Sequence, residues 1–483
     1  MISAPRTSST PRQPSPAPGS SLVWLGSVGL VALAVWFWFT SPWQDIRLNT
    51  LAIGICVLGV VPMLRWLHRR DPSYPLPELL QLTMVPFYAI PIFSEHQAIM
   101  GYTEAVLTKA VLLVVVFQAC ALLGSFFSSH TFHRPDERSL WRMEFVSEGN
   151  LRFTTYTMMS TSVWLLVSTF TDIVPREYYG VFRAVFFGVG TLSNFIQARM
   201  WGAGQLERSQ KVFFMVNLVV QIILQSLSLL LISGIITTLL ALVGYFSSAR
   251  RVPLVLCLAA LAVFGVLHNG KHQMRKLYWE QGAKPVQLLT IPQYLAEWFG
   301  HGLDVTFGDT EESAPGTPSS ANIFQRASLI QIVSYAVDTV PMPTPYLEGA
   351  TYTLIPPQIF PRFLWPDKPS PNDSVKILSV RLGILSEDQA ETTSIGYGLI
   401  AESYVNFGFI STGLLGFLLG WLLRRAALVT AECGTLSAGG IFRILCLAWC
   451  LNTETTLAVW LSSFYQAFVA IFVPLFFLQS LFR

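Results

Sequence analysis

Of the 483 residues, 52% are hydrophobic and only 12% charged, and the mean hydropathy is +0.50, whereas soluble domains carry about 25% charged residues. An ordinary soluble domain is therefore excluded. The 31 Lys and Arg nearly balance the 28 Asp and Glu, and the formal charge of +3 gives no reason to expect a nucleic-acid partner, whose binding rests on a basic phosphate-facing surface.

Residues 1–20 (MISAPRTSSTPRQPSPAPGS) are rich in Ser and Pro, cannot bury a core and read as a disordered tail. The run 21–39 is long enough to span a bilayer. It ends in Trp36, Phe37, Trp38 and Phe39 without a small-residue cleavage site, which predicts a retained membrane helix with an aromatic interface belt rather than a signal peptide. Further runs of spanning length are 51–67, 77–93, 105–127, 154–170, 178–196 and 252–267. The nearly uncharged run 212–247 is too long for one tilted crossing and predicts a helical hairpin turning near 226–234. After a long polar segment come 407–423, 440–455 and 457–481, for a total of about twelve spans. The expected fold is all-α and polytopic: a disordered cytoplasmic tail over 1–20, transmembrane helices 1–9 over 21–267, an extracytoplasmic loop region over 268–392, and a re-entering segment with transmembrane helices 10–12 over 393–483.

Lys and Arg in short loops mark the cytoplasmic side. Arg65, Arg69 and Arg70, then Arg134, Arg138 and Arg142, then Arg199, Arg208 and Lys211, then Arg250 and Arg251, then Arg424 and Arg425 occupy every second loop. This places both termini in the cytoplasm and the long segment outside. No internal repeat is visible and the hydrophilic insertion is late in the chain, which counts against a transporter built of two matched halves. Cys56, Cys120, Cys257, Cys446 and Cys450 lie in apolar runs and Cys433 in a short loop, with no zinc spacing. They read as small buried side chains, neither a disulfide framework nor a metal site. The first outer loop, 41–50, has a lone Asp45 and no paired acids, so no divalent ion is expected.

Within the external region, 308–322 (GDTEESAPGTPSSAN) reads as a flexible linker, flanked by amphipathic surface helices over 288–299 and 323–340. Nine prolines between 341 and 371 exclude continuous helix from the next stretch and give it an irregular, stiff path. Tyr346, Tyr352, Phe360, Phe363 and Trp365 are too apolar there for a solvated linker and should pack on something. Arg362 and Lys368 flank Trp365. An aromatic ring between cations suits a sugar joined to a phosphate, the ring stacking on the sugar and the cations neutralising the anion; pairing with Asp367 or lipid headgroups is the alternative.

Beyond it, 392–409 re-enters the membrane with Glu402 among apolar neighbours, either a general base or a solvated structural group at a helix mouth. Arg183, near the outer end of its span, either snorkels or lines a cavity. His268 and His272 share a helical spacing without a third ligand; they read as interface histidines, of which one, His272, would serve as a base.

The order Arg326, Gly349 in EGATYT, IFPRFLWPDKP over 359–369, and GYGLIAESYVNFGFISTGLLGFLLG resembles the bacterial O-antigen and exopolysaccharide repeat-unit polymerases, the Wzy-type family of O-antigen polymerase and ligase-like membrane glycosyltransferases. The resemblance covers about 100 residues and is carried by the PR-x-LWP-x-KP string followed by E-x-Y-x-N-x-G. It implies a metal-independent, inverting membrane glycosyltransferase, without cofactor, in the bacterial inner membrane. Its substrate would be an undecaprenyl diphosphate-linked oligosaccharide, and chain-length regulator and flippase proteins would be its partners. Carried onto this chain, Arg326, Arg362, Glu402 and His272 are the catalytic candidates, and Lys368, Trp365, Arg183 and Tyr352 the substrate-binding ones. The paired loop motifs of some members, an Arg followed by Gly eleven residues later, are not matched: Val337 and Asp373 stand at those positions. A ligase that moves finished polysaccharide, a flippase or transporter for lipid-linked sugars, and an envelope scaffold are the competing readings.

Overall fold

A lipid phase offers the backbone no hydrogen-bond partner, so long apolar runs fold as helices that satisfy themselves. The structure, a computed structural model, describes residues 20–69, 73–94, 96–131, 140–142, 151–171, 173–174, 176–229, 231–246, 248–249, 254–280, 286–307, 328–360, 364–434 and 437–481. Among these it is all-helical, without a strand. The helices are α1 (Ser20–Thr40), α2 (Ile46–Arg69), α3 (Leu76–Phe93, with a π turn at Val85–Ala89), α4 (Glu104–His130), α5 (Leu151–Phe170), α6 (Arg176–Gly202), α7 (Arg208–Ser226) and α8 (Leu231–Phe246). They continue with α9 (Leu254–Arg275), α10 (Ile291–Phe307), α11 (Ile330–Thr339), α12 (Asp373–Arg381), α13 (Glu387–Thr392), α14 (Gly398–Val429), α15 (Ala438–Cys450) and α16 (Leu457–Leu481).

Among the described residues, five helices are long and apolar enough to cross a membrane: α2, α3, α4, α14 and Val255–Tyr278, which includes most of α9. Apolar but shorter stretches lie in α1, α8, α15 and α16. The expected hairpin is present, α7 ending at Ser226 and α8 starting at Leu231. Three expectations change in detail. The helix through 252–267 runs on to Arg275, so His268 and His272 are helical rather than the start of a loop. Of the surface helix expected at 323–340, residues 323–327 lie outside the described residues, Ser328 and Leu329 are not helical, and α11 begins at Ile330, just after the Leu329 amide donates to the Phe87 carbonyl at 3.0 Å. The segment expected to re-enter before a tenth span is continuous with it as α14, which breaks internally at Phe407 and Gly408.

The longest helix seam joins α4 to α14, with α2, α3 and α11 packed around it. Thr103 caps α4 by accepting from the Val106 amide. The two long helices run in the same direction, since Ser125 donates to the Gly420 carbonyl (3.2 Å), Arg424 Nε to Ser129 (3.0 Å) and Arg425 to the Thr131 carbonyl (3.1 Å). Small residues permit the approach: a Cβ at Gly416 would strike the Phe117 carbonyl, and one at Gly420 the Ala121 carbonyl. Deeper in, Gln81 Nε2 donates to the Gln118 carbonyl at 2.9 Å and joins α3 to α4.

A second bundle, α5 to α8, is joined differently. Asn194 Nδ2 donates to Gln221 Oε1 (2.7 Å), Gln221 Nε2 to the Met158 carbonyl (3.2 Å) and Ser162 (3.1 Å), and Gln197 Nε2 to Thr154 and Thr155 (3.0 Å each). A polar seam thus links α5, α6 and α7 inside the protein. α9 and α10 pair beside it, with the buried Trp298 donating to the Leu267 carbonyl at 2.7 Å.

Candidate functional site

The proline-rich stretch does avoid continuous helix. Over 340–360 and 364–372 the chain makes turns and two short 3-10 helices, Tyr352–Leu354 and Pro356–Ile359. Proline fixes φ and removes amide donors, so this strap must be held by its remaining polar groups. It is held at the break in α14. Phe407 and Gly408 leave the helical region, Gly408 with φ 74° and ψ −151°, a combination open to glycine almost alone. The Leu347 amide donates to the Val405 carbonyl (3.0 Å) and the Glu348 amide to the Asn406 carbonyl (3.1 Å), so the strap supplies donors to carbonyls beside the break. Glu348 and Gly349, both at positive φ, turn the strap into this position.

Glu402 and Asn406, one helical turn apart, present one face of α14 to the strap, and both are completely buried. Glu402 Oε2 accepts from the Leu457 amide at 2.5 Å, the first residue of α16, where a carboxylate complements the helix dipole. Asn406 Nδ2 donates to Thr351 Oγ1 (2.9 Å) and to the Glu402 carbonyl (2.8 Å). The Thr351 hydroxyl stands beside the Glu402 carboxyl. Asn406 Oδ1 is buried with no hydrogen-bond partner among the described residues, which leaves one acceptor in this cluster open to a further donor. Tyr352 packs against Phe407, ring centroids 6.4 Å apart. Burial, with the Glu402 carboxylate nearby, holds its phenol above the ordinary range.

On the other face of α14, Tyr404 donates to the Val340 carbonyl at 3.0 Å and its ring meets Tyr346 edge-on. Lys109 Nζ lies 5.8 Å from the Tyr404 ring centroid.

Further along the strap, Lys368 is buried and donates to the Phe360 carbonyl at 2.7 Å, closing a turn on which Phe360 and Trp365 meet edge to face. Trp365 is exposed. Gln358 donates to the Pro369 carbonyl (3.0 Å) inside this turn, and Ser374 meets Thr456 (2.7 Å) where it joins the start of α16.

The structure therefore brings Glu402 and Tyr352 into one cluster and sets Lys368 and Trp365 on the same strap. His272 is exposed on α9, which packs on α8 and α10 and outside this cluster. Arg326 and Arg362 lie outside the described residues, as does the side chain of Arg183, whose backbone belongs to α6. Thr351, Asn406, Tyr404 and Lys109 were not among the sequence candidates. Asn406 and Tyr404 stand in the E-x-Y-x-N-x-G string, and Lys109 is a cation one turn into an apolar run; both signals were available. Thr351 carried none, because its role depends on a contact across 55 residues.

No family model matches this chain, and no curated protein and no solved structure is similar to it.

Proposed function

We propose that this chain is a membrane glycosyltransferase that polymerises undecaprenyl diphosphate-linked oligosaccharide repeat units at the outer face of the bacterial inner membrane. It would cross that membrane about twelve times, with both termini in the cytoplasm. The observation that carries the reading is the strap pinned to the break in α14, which meets the Glu402 cluster through Thr351 and carries Lys368 and Trp365 further along. Such a segment at the end of a helical bundle is where a lipid-anchored sugar would meet fixed acidic, cationic and aromatic groups. The opposite end of α14 carries Arg424 and Arg425, Glu432 just past that end pairs with Arg142 at 2.6 Å, and this end would face the cytoplasm. The shared direction of α4 and α14 agrees with their being the fourth and tenth crossings.

In this reaction the bond between the anomeric carbon of the growing chain and its lipid diphosphate breaks, the electron pair leaving on the phosphate. A hydroxyl of the next lipid-linked unit attacks the opposite face, inverts the centre and gives its proton to a base. Arg326, Arg362 and Lys368 are assigned to the leaving diphosphate, where fixed cations stabilise charge as it develops, and no metal is called for. Trp365, Tyr352 and Arg183 are assigned to the sugar and lipid-phosphate portions of the substrate. Glu402 is preferred to His272 as base because it belongs to the strap cluster, whereas His272 is exposed on α9 outside it.

The test is turnover by the purified protein in nanodiscs, supplied with lipid diphosphate-linked repeat units and excess EDTA. A ladder of polymer without added acceptor is expected. Products that appear only when a second acceptor lipid is added would replace the polymerase by a ligase, and intact substrate under both conditions would remove the transferase reading. Arg362→Ala should abolish the ladder at unchanged abundance. Glu402→Gln separates two roles: loss of turnover with normal melting makes Glu402 the base, whereas normal turnover with lowered melting leaves it only the cap of α16.

A further inference from the structure

Two grooves flank the end of α2 opposite the strap, independently of the site above. One, of about 630 Å³, lies between α2, α4 and the end of α14; the other, of about 570 Å³, lies between α1 and α2. Both are walled by the same three residues of α2, Val61, Arg65 and Arg69. Arg65 and Arg69 are one helical turn apart at the end of α2, exposed, and without an ion pair or hydrogen bond among the described residues. In the first groove Arg424 is held in place by Ser129 (3.0 Å), Ser73 (3.1 Å) and Glu78 (3.9 Å), so Glu78 offsets that cation and the charge of Arg65 and Arg69 is left over.

Each groove also has an apolar stretch, Val57, Leu122 and Phe126 in the first and Leu30, Val31 and Leu64 in the second, beside the polar Glu78, Ser125, Ser129 and His130 of the first and Ser27 and His68 of the second. Val57, Leu64, Leu122 and Phe126 lie on α2 and α4, both long and apolar enough to cross a membrane, Leu30 and Val31 lie on the shorter apolar stretch of α1, and the arginines stand at a helix end, the depth of the headgroups. An anion with a single short body would use the guanidinium pair and leave the apolar walls bare. A phosphate carrying two acyl chains would use all of it, the phosphate on the planar forks of Arg65 and Arg69 and a chain in each groove.

We infer that Arg65 and Arg69 form a headgroup site for an anionic diacyl phospholipid seated astride α2, with its chains in the α1–α2 and α2–α4 grooves. The general attraction of a basic membrane face for acidic lipid spreads over many loops, whereas this site concentrates it on two residues.

The experiment is native mass spectrometry of the detergent-purified full chain titrated with phosphatidylglycerol and phosphatidylcholine of matched chains. The expected result is at least tenfold tighter retention of phosphatidylglycerol, falling below twofold in Arg65→Gln/Arg69→Gln. Arg208→Gln/Lys211→Gln, which removes the same charge at another loop, should leave the preference unchanged. Equal retention of the two lipids, or a preference that survives in Arg65→Gln/Arg69→Gln, overturns the proposal. So does a preference lowered as much by Arg208→Gln/Lys211→Gln, since that is diffuse surface charge. Displacement of bound lipid by millimolar inorganic phosphate would also overturn it, because the site would then read phosphate without chains. Unaltered melting of both double variants in lipid-free detergent shows that the difference is binding and not folding.

Discussion

The seam between α4 and α14 and the seam among α5, α6 and α7 solve one problem in opposite ways. Helices in lipid gain little from burying apolar surface against each other, because the acyl chains outside are equally apolar. The first seam relies on backbone proximity, with Gly416 and Gly420 letting α14 lie against the carbonyls of α4. The second relies on side-chain amides and hydroxyls, with Asn194, Gln197 and Gln221 reaching between helices. Proximity gives a joint that cannot adjust, whereas long polar side chains can find other partners. The candidate site is built on the unadjustable side: α14 must be fixed along α4 for its break to meet the strap.

The difference is sharpest at Gly420. A leucine there would drive its side chain into the Ala121 carbonyl, and backbone cannot turn aside as a side-chain tip can. Overpacking costs about 1–3 kcal/mol even where side chains give way, and Gly420→Leu should exceed that range, lowering the yield of monodisperse protein and its melting temperature together. Wild-type melting would show that the seam is looser than its contacts. Gly408→Ala comes next, at about 1–3 kcal/mol, because alanine must adopt φ 74° with ψ −151°. Its Cβ would also come within 2.9 Å of the Tyr346 hydroxyl. Adding Tyr346→Ala separates the causes: a loss that persists belongs to the backbone, and a loss that is relieved belongs to the contact.

Most of the helical ladder was legible because hydropathy over about 20 residues is a local property. The 212–247 hairpin was readable for the same reason. The E-x-Y-x-N-x-G string was visible too, but its meaning was not. Glu402 and Asn406 fall on one face and Tyr404 and Gly408 on the other, and only the fold shows that the strap reaches both. Glycine adds to the ambiguity: Gly408 breaks α14, while Gly416 and Gly420, in the same helix, pack it. The polar seam was hidden differently. Ser, Thr, Asn and Gln lower the mean hydropathy of a run without saying which neighbour they face, so α5, α6 and α7 read as plain spans, although among the described residues none is one of the five helices long and apolar enough to cross a membrane.

The smallest expected effect lies in that polar seam and tests whether it is adjustable. Gln221→Leu removes the donor to the Met158 carbonyl and Ser162 and the acceptor for Asn194 Nδ2. In water-excluded protein, orphaning a buried amide costs about 1–3 kcal/mol. Hydrogen bonds between membrane helices average only about 0.6 kcal/mol, because the separated helices in lipid also find partners. Gln221→Leu should therefore cost about 0.5–1.5 kcal/mol, well below Gly420→Leu. Asn194→Leu/Gln221→Leu should cost less than the sum of the single changes, because the second removes the partner the first orphaned. Additive losses in a double-mutant cycle on the unfolding free energy would mean that the Asn194–Gln221 pair does not hold α6 to α7. A Gln221→Leu loss as large as that of Gly420→Leu would mean that the polar seam is as rigid as the glycine one, and the contrast between the two bundles would fail.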